Sequence, residues 1–341
     1  MVPKATNQMS AKKTNIVVQG ISEIDEIPEL IEINSYANIR CAPDLETLRN
    51  WLPEAEILLG WNFQADILEK AWDQATHLKW IQWGGAGVDA VLFPELVESD
   101  VTLTNMGGIF DRAMAEYVLG LIIAFAKDFP ETYKAQTERR WSYRLTNCIE
   151  NSNVLIIGTG GIGRMIGYLL KAVGCHVTGV ARTARLADDV FNSTYSIEDV
   201  DEALIKADYV VLATPLTTQT KNFFGQNQFA RMKNSSYFIN VGRGELINEN
   251  ALIDALQNKD ISGAALDVFQ TEPLPPDSPL WSMNNVIISP HMSGDYYGHR
   301  SEMAHMFLEN LNCFRHNLPL RNTIDKNLGF IATKPLTNQS I

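Results

Sequence analysis

The stretch that decides the fold is "NVLIIGTGGIGRMIGYLL", residues 153–170, in which an apolar strand pattern runs through a glycine-rich turn into a helix. Gly158, Gly160 and Gly163 form the pattern GxGxxG at that turn. In a dinucleotide-binding turn the first glycine makes the bend, the second lets the backbone approach a pyrophosphate, and the third lets the helix pack closely on the strand. An ordinary turn with spare glycines is the alternative. The position between a strand and a helix favours cofactor binding.

The helix after this turn supports the same interpretation. Apolar residues recur at spacings of three and four from Ile162 to Val173, and Gly174 predicts the helix end. The N-terminus of such a helix offers unpaired N–H groups and the positive end of its dipole to an anion. Gly161 and Ile162, which lie in the turn, therefore join the cofactor-binding candidates.

The same part of the chain contains six candidate strands, with helical stretches between most of them. They are residues 153–157, 176–180, 209–213, 237–241, 263–268 and 285–289. Six such strands match a doubly wound parallel sheet with helices on both faces.

Short apolar runs and helical patterns also alternate from Asn15 onward, which is typical of βαβ units on a second parallel sheet. A helical stretch near residues 296–317 follows the last strand, and we expect the chain to return to the first domain there. The predicted fold class is α/β with two Rossmann-like domains. A smaller, discontinuous, flavodoxin-like substrate-binding (catalytic) domain takes residues 1–104 plus 293–341, and the six-stranded dinucleotide-binding domain takes residues 105–292.

Composition and charge narrow the function classes. The chain has 341 residues, 45% of them hydrophobic, and a formal net charge of −12. This acidity opposes general binding to nucleic acid or to an anionic membrane surface. No apolar segment follows the first lysines, and the longest apolar stretch, Tyr117–Ala126, is about half of the ~20 residues that span a bilayer, so we expect a cytoplasmic protein. The cysteines lack CxxC or Cys/His spacing, and the histidines other than His291 lack partners at metal spacing, so we predict no disulfide and no metal site.

The segment "GVARTAR", residues 179–185, follows the second strand of the large sheet, where an acidic residue usually binds the adenosine ribose. Ala181 stands there instead. Arg182, Thr183 and Arg185 offer charge-assisted donors to a 2′-phosphate, each worth about 1.5–3 kcal/mol. We therefore expect NADP as the preferred cofactor and NAD as a second one. Two solvated surface arginines are the alternative.

Polar residues follow the last three predicted strands in turn: Arg243, Glu272 and His291. The carboxyl ends of parallel strands meet at one edge of a sheet, where ligands bind, so we expect these side chains to converge. Each has an ordinary alternative, as a solvated arginine, a strand-exit glutamate or a turn histidine. Together they predict a catalytic site.

The motifs "GTGGIGR", "NVGRGELI", "ALDVFQTEPLPPDSPLW" and "SPHMSG", in this order, resemble those of the D-2-hydroxyacid dehydrogenases, specifically the glyoxylate/hydroxypyruvate reductase-like branch. The similarity runs from about residue 79 to residue 292. It implies a two-domain enzyme, usually a homodimer, that interconverts 2-keto acids and D-2-hydroxy acids with a nicotinamide cofactor. Formate is disfavoured as substrate, because formate dehydrogenases carry glutamine at the place of Glu272.

The chemistry of such a reaction suits the three strand-end residues. A keto oxygen that becomes an alkoxide needs a proton, and His291 can donate one because its ordinary pKa lies near working pH. Glu272 can hydrogen-bond the other ring nitrogen and favour the charged imidazole. Arg243 can pair with the substrate carboxylate through its planar guanidinium and polarise the carbonyl.

The resemblance also implies further cofactor-binding residues. Asp267 matches the position that binds the nicotinamide carboxamide, with a strand-end cap as the alternative. Thr214 and Pro215 match the loop that lines the adenosine side, and Val241 in "NVGRGELI" completes the set.

On the substrate side, "WIQWGGAGVD" matches the loop whose backbone N–H groups face the substrate carboxylate, and glycines permit that close approach. The candidates are Gly85, Ala86 and Gly87. Asn105 matches the crossover between domains. Trp61 is a candidate wall of the pocket, with a core position as the alternative.

The choice of substrate and partner stays open at this point. Tyr296 and Tyr297 lie in "MSGDYYG", which departs from the family pattern and leaves glyoxylate, hydroxypyruvate and bulkier 2-keto acids as alternatives. The apolar helix over residues 112–129 is expected between domains or against its twin in a homodimer. A nicotinamide-sensing corepressor or scaffold of the same fold is the rival function. It is disfavoured because such proteins usually carry a ribose-binding acid and extra interaction segments, whereas this chain has Ala181 and a short tail. A phosphoglycerate dehydrogenase with a regulatory module is disfavoured, because no room remains for one after residue 341.

Overall fold

A computed structural model describes residues 13–62 and 65–331 of the chain. These residues fall into two compact units. Unit 1 takes the described parts of Met1–Met106 and Tyr297–Ile341, and unit 2 takes Gly107–Tyr296. No helix within the described ranges is long and apolar enough to cross a lipid bilayer.

Unit 1 is built on a five-stranded parallel sheet with the order β2-β1-β3-β4-β5. Its strands are β1 (Thr14–Gln19), β2 (Ala37–Ala42), β3 (Ile57–Gly60), β4 (Trp80–Trp83) and β5 (Thr102–Thr104). This is the strand order of flavodoxin, so the predicted flavodoxin-like architecture is confirmed. The sequence analysis had not identified β2, because its residues "ANIRCA" alternate polar and apolar side chains without a strong apolar run.

Unit 2 contains a parallel sheet with the order β12-β11-β10-β9-β6-β7-β8. Its strands are β6 (Asn153–Ile157), β7 (His176–Ala181), β8 (Ser193–Ser196), β9 (Tyr209–Leu212), β10 (Tyr237–Asn240), β11 (Gly263–Leu266) and β12 (Val286–Ile288). The doubly wound fold is confirmed, but the predicted number of strands was wrong, since the described residues give seven instead of six. The extra strand, β8, is the short polar edge segment "STYS", which carries no apolar signal.

Ten α-helices occur in the described residues. In chain order they are α1 (Leu45–Trp51), α2 (Ala65–Ala71), α3 (Pro94–Glu98), α4 (Asp111–Ala126), α5 (Phe129–Thr137), α6 (Gly161–Ala172), α7 (Val200–Leu204), α8 (Gln226–Arg231), α9 (Glu249–Gln257) and α10 (His299–Arg315). Short 3-10 segments supplement them, the longest being Pro28–Ser35. In unit 1, α10 lies on the sheet, where Trp80 of β4 stacks on Phe307 with 5.4 Å between ring centroids.

The apolar helix α4 packs within unit 2 against α6. Its buried residues include Met114, Val118 and Phe125, and Phe125 stacks on Tyr237 at the start of β10 with 4.4 Å between ring centroids. The helix ends where Asp128 takes a left-handed backbone conformation, with φ +51°. Packing inside unit 2 therefore accounts for much of its apolar character, and the expected contact with a twin helix stays a prediction.

Candidate active site

The predicted strand-end residues follow three neighbouring strands of the unit 2 sheet. Strands β10, β11 and β12 are adjacent and parallel, so their carboxyl ends share one edge. Arg243 follows β10, Glu272 lies in the loop after β11, and His291 follows β12. The glycine turn after β6 opens at the carboxyl edge of the same sheet, and the order of strands reverses between β9 and β6. In this fold class, dinucleotides bind across such a reversal point.

The Glu272 and His291 side chains are in direct contact. Glu272 Oε2 lies 2.8 Å from His291 Nδ1, and the second carboxylate oxygen, Oε1, accepts the backbone N–H of Phe269 at 2.9 Å. Both oxygens are therefore engaged, and the orientation of the carboxylate is fixed by its own loop. The contact at Nδ1 leaves the other ring nitrogen of His291, Nε2, as the atom available for proton transfer.

Each partner in this pair changes the pKa of the other. The hydrogen bond to Glu272 raises the pKa of His291, while burial of the imidazole and the charge of Arg243 oppose that rise. Burial alone would raise the pKa of Glu272, but the bond from His291, the Phe269 N–H and the charge of Arg243 outweigh it and lower that pKa. The pair therefore favours an ionised carboxylate beside a protonated imidazole.

Arg243 is held in place by the buried Asn240 at the end of β10. The Asn240 side chain donates to the Arg243 carbonyl at 2.9 Å and accepts the Gly242 N–H at 3.1 Å. Gly244 then passes so close to the next loop that a Cβ there would lie 1.9 Å from the carbonyl carbon of Phe269. Only glycine permits that approach, which brings the Arg243 turn against the loop of Glu272.

The loop that carries His291 is fixed by Asp267, which directly follows β11. The His291 N–H donates to the Asp267 carbonyl at 2.8 Å. The Asp267 carboxylate accepts the Ser289 hydroxyl at 2.7 Å and the Met292 N–H at 3.0 Å. Its other oxygen accepts the Ser293 N–H at 2.9 Å. These bonds hold His291 in a left-handed backbone conformation, with φ +53°, which is uncommon for a residue other than glycine.

The Asp267 carboxylate is nearly completely buried, at 1% exposure. Burial alone would raise the pKa of Asp267, but the hydrogen bonds from Ser293, Ser289 and Met292 outweigh it and lower the pKa. The carboxylate is thus an ionised cap for the His291 loop. Its predicted contact with the nicotinamide carboxamide stays a prediction.

The glycine turn has the geometry that a pyrophosphate site requires. Gly158 has φ +107°, and a Cβ at Gly163 would lie 1.8 Å from the Gly158 carbonyl oxygen, so both positions require glycine. Apart from its two chain neighbours, no described residue has an atom within 4 Å of the Cβ position of Gly160, so the space beside the turn is open. The first intrahelical bond runs from the Arg164 N–H to Gly160, and no side chain caps the preceding N–H groups. The residues present therefore fit a dinucleotide cofactor.

The remaining cofactor-binding candidates lie on loops at the same sheet edge. Arg182, Thr183 and Arg185 follow β7 and are all exposed. Val241 is buried, and its N–H donates to the Leu212 carbonyl of β9 at 3.1 Å. Thr214 and Pro215 follow β9, where the backbone N of Thr214 lies 2.8 Å from the Cβ position of Gly158. These positions place the candidates around the glycine turn, while their contacts with a cofactor stay predictions.

In unit 1 the predicted substrate loop follows β4 and is held by Asn105. The Asn105 side chain donates to the Ala86 carbonyl at 2.5 Å, and the Met106 N–H donates to the Gly85 carbonyl at 3.0 Å. Within the described part of the chain, no backbone acceptor pairs with the N–H groups of Gly85, Ala86 or Gly87. Successive N–H groups without partners make an anion-binding concavity.

The three aromatic candidates differ in their surroundings. Trp61 directly follows β3 and is buried at 9% exposure, as a core residue would be. Tyr296 is half-buried at the end of unit 2, and Tyr297 is fully exposed in unit 1. The role of Trp61 as a wall of the pocket stays a prediction.

Two residues near the site were not identified from the sequence. Asn240 lies in a predicted apolar strand, so its sequence context gives no sign of its role. The structure shows that it is completely buried and hydrogen-bonded to the turn of Arg243. Asp111 begins α4, and its Oδ2 lies 2.4 Å from the Cβ position of Gly161 at the glycine turn. Burial raises the pKa of the Asp111 carboxyl. No sequence signal connects Asp111 to a turn so far along the chain.

Comparisons with known proteins agree with this geometry. The model of the D-isomer specific 2-hydroxyacid dehydrogenase NAD-binding domain matches residues 119–293. Glyoxylate/hydroxypyruvate reductase B of Salmonella paratyphi A is 34% identical over 236 residues, which cover 66% of this chain and 71% of that protein.

Solved structures of the same family superimpose on most of the chain. A D-isomer specific 2-hydroxyacid dehydrogenase family protein from Aeromonas salmonicida matches with a TM-score of 0.81 and 31% identity, over 93% of this chain and 100% of that one. The NADPH-dependent glyoxylate/hydroxypyruvate reductase of Sinorhizobium meliloti, solved with NADP and sulfate, matches with a TM-score of 0.82 and 26% identity, over 93% and 100%. The chain therefore belongs to the D-isomer specific 2-hydroxyacid dehydrogenase family, in its glyoxylate/hydroxypyruvate reductase-like branch, and is an NAD(P)-dependent oxidoreductase.

Proposed function

We propose that the protein reduces small 2-keto acids to D-2-hydroxy acids with NADPH, and that His291 donates the proton. The observation that carries this proposal is the 2.8 Å contact between Glu272 and His291 at the carboxyl edge of the sheet. The glycine turn opens at the same edge. The NAD(P)-dependent enzyme class agrees with the family, whereas the individual residue roles are our assignment.

The reaction needs a hydride and a proton. The nicotinamide, when bound, supplies the hydride to the keto carbon. His291 gives its Nε2 proton to the keto oxygen as negative charge develops there. Glu272 stabilises the imidazolium before transfer and keeps the ring oriented through Nδ1.

The residues assigned to the substrate are taken unit by unit. In unit 2, Arg243 is assigned to the substrate carboxylate through its guanidinium, whose planar shape matches a carboxylate. In unit 1, the N–H groups of Gly85, Ala86 and Gly87 are assigned to substrate binding, supported by their lack of backbone acceptors within the described residues. Residues 1–104 with 293–341 would accordingly act as the substrate-binding domain, and residues 105–292 as the cofactor domain.

The preference for NADP is assigned to Arg182, Thr183 and Arg185. These side chains are exposed directly after β7, and Ala181 supplies no carboxylate to repel a phosphate. The Sinorhizobium meliloti relative, which is NADPH-dependent, supports this assignment.

We also propose a homodimer, and an exposed arm in unit 2 supports it. Trp141, Tyr143 and Leu145 are 100%, 86% and 88% exposed, while Arg144 between them pairs with Asp128 and anchors the arm. Aromatic side chains bury roughly 150–250 Å² each, so Trp141 and Tyr143 alone contribute about half of the ~800 Å² per partner of a standard interface. A monomer in sedimentation at micromolar concentration would contradict this proposal.

The proposed activity is tested with a panel of 2-keto acids against both cofactors. Glyoxylate, hydroxypyruvate and a bulkier 2-keto acid are each incubated with NADPH or NADH, and cofactor oxidation is followed. We expect turnover with at least one acid and a higher kcat/KM with NADPH. Absence of turnover with every acid would favour the corepressor-like alternative, and a higher kcat/KM with NADH would remove the NADP assignment.

A further inference from the structure

The loop between β7 and β8 carries the arginines assigned to the cofactor phosphate, yet residues 182–189 are exposed throughout. Leu186 at its centre is 92% exposed. A loop with so little buried surface needs other contacts to hold one conformation. Its charged donors bind a phosphate more tightly if the loop is ordered before binding, because less conformational entropy is then lost.

Such a contact comes from Arg164 in the first turns of α6, which also carries the glycine turn. Its Nη1 lies 2.6 Å from Asp188 Oδ2, and its Nη2 lies 2.7 Å from Asp189 Oδ1. The guanidinium thus joins two successive carboxylates of the loop to the cofactor-binding helix. Two ion pairs on one arginine have a defined geometry that a single surface pair lacks.

Asp188 also stabilises the turn that follows it in the chain. Its second oxygen, Oδ1, accepts the N–H groups of Val190 at 2.8 Å and Phe191 at 2.7 Å. Burial alone would raise the pKa of Asp188, but the bonds from Arg164 and from these N–H groups lower it to about 2. The carboxylate is therefore ionised, and the pair is intact, throughout the neutral pH range.

The segment after Asp188 is anchored in the core of unit 2. Val190 and Phe191 are buried, and the Phe191 ring lies 3.0 Å from the Cβ position of Gly179 in β7. Lys171 of α6 adds a bond from its Nζ to the Asp189 carbonyl at 3.0 Å. The loop is thus fixed at its C-terminal end, and the Arg185 N–H adds a bond to the Thr194 carbonyl of β8 at 3.2 Å.

The same contacts have an electrostatic consequence. Asp188 and Asp189 lie three and four residues after Arg185 in an acidic chain. Without a cation beside them, two carboxylates on this loop would oppose the approach of a phosphate. Arg164 compensates their charge from the side of the helix.

We propose that Arg164 and Asp188 are positioning residues that determine cofactor specificity, because their ion pair holds and neutralises the loop that binds the 2′-phosphate of NADPH. Neither residue contacts the phosphate in this assignment. The inference rests on the proposed function, since it requires that the loop after β7 binds this phosphate. NADH lacks the 2′-phosphate and should be insensitive to the pair.

The experiment compares Arg164→Gln, Asp188→Asn, the double variant and Arg164→Lys with the wild-type enzyme. Asn at 188 can still accept the two backbone N–H groups, so it removes the ion pair without removing the turn. Arg231→Gln is the matched control, because Arg231 also pairs on the surface of unit 2, with Asp201 at 3.7 Å, but outside this loop. KM and kcat are measured for NADPH and for NADH, and thermal unfolding is recorded for each variant.

We expect Arg164→Gln to raise the KM for NADPH about tenfold, the effect of losing ~1.4 kcal/mol, and to change the KM for NADH less than about twofold. Asp188→Asn should have a smaller effect of the same kind, the double variant should not exceed Arg164→Gln, and Arg164→Lys should lie between Arg164→Gln and wild type. The control should match wild type.

Four outcomes would overturn the inference. An unchanged KM for NADPH in Arg164→Gln removes it, as does an equal rise for both cofactors, which would indicate a merely structural role. Fully additive effects in the double variant would show that the two residues act separately. Arg182→Ala separates this inference from the proposed phosphate site. If Arg182→Ala weakens NADPH binding but Arg164→Gln does not, the phosphate site stands and only this inference fails. A wild-type preference for NADH would remove both.

Discussion

Replacement of Glu272 by glutamine tests the electrostatic part of the mechanism. The substitution keeps the size of the side chain and an oxygen for the Phe269 N–H, but it removes the charge 2.8 Å from His291 Nδ1. The hydrogen bond to Glu272 is the largest cause of the raised pKa of His291, so the variant should have a lower imidazole pKa. Less imidazolium would then be present at a given pH to donate a proton.

The size of the effect follows from the type of bond. A hydrogen bond to a charged group contributes about 1.5–3 kcal/mol, which corresponds to a loss of roughly ten- to a hundredfold in kcat/KM. The loss should depend on pH in a definite direction. Reduction requires protonated His291, so kcat/KM falls as pH rises through the imidazole pKa, and this alkaline limb should move to lower pH in the variant. At acidic pH, where both imidazoles are protonated, the two enzymes should differ least.

The assay is the pH profile of kcat/KM for keto acid reduction at saturating NADPH. Glu249→Gln is a matched control, because Glu249 accepts the neighbouring Gln270 N–H at 3.3 Å without contacting His291. Its profile should superimpose on that of wild type. If the alkaline limb of Glu272→Gln stayed at the wild-type pH, the assignment of Glu272 as the group that stabilises the imidazolium would be wrong.

Three further predictions concern the cofactor turn, the His291 loop and the substrate loop. Gly163→Ala should lower the free energy of unfolding by about 1–3 kcal/mol, because its Cβ would lie 1.8 Å from the Gly158 carbonyl oxygen. Gly160→Ala should keep wild-type thermal stability but weaken NADPH binding in a fluorescence titration. Equal losses of stability in the two variants would refute this distinction. Asp267→Asn should also lower the free energy of unfolding by about 1–3 kcal/mol in chemical denaturation, because an amide cannot accept all three bonds of the buried carboxylate. An unchanged denaturation midpoint would contradict the role of Asp267 in holding the His291 loop. Asn105→Ala should raise the KM for the keto acid severalfold with little change in the KM for NADPH, since it removes the bond that holds the Ala86 carbonyl. A change in the KM for NADPH alone would contradict the assignment of residues 85–87 to substrate binding.

Much of the fold was visible in the sequence because its signals are local. The glycine turn requires small residues at fixed spacing, and the steric contacts of Gly158 and Gly163 show why. The long apolar strands of a parallel sheet likewise stand out as continuous runs. Strands β2 and β8 were missed because their residues are mixed or polar and because β-pairing with a neighbour, such as Thr178 with Ser193, leaves no local trace.

The candidate site was predictable to a similar extent. Arg243, Glu272 and His291 could be found because strand ends in an α/β sheet share one edge. Their supports could not be found, because a residue such as Asn240 acts through tertiary contacts that have no spacing rule. The pairing of Arg164 with Asp188 is of the same kind, since it joins a helix to a loop 24 residues away.

The most direct test of the central claim is the turnover of His291→Gln with NADPH and glyoxylate or hydroxypyruvate, measured beside NADPH binding by the same variant. The account predicts a loss of at least ~10²-fold in kcat with NADPH affinity close to that of wild type. Near-normal turnover by a variant that still binds NADPH would contradict the claim that His291 is the proton donor.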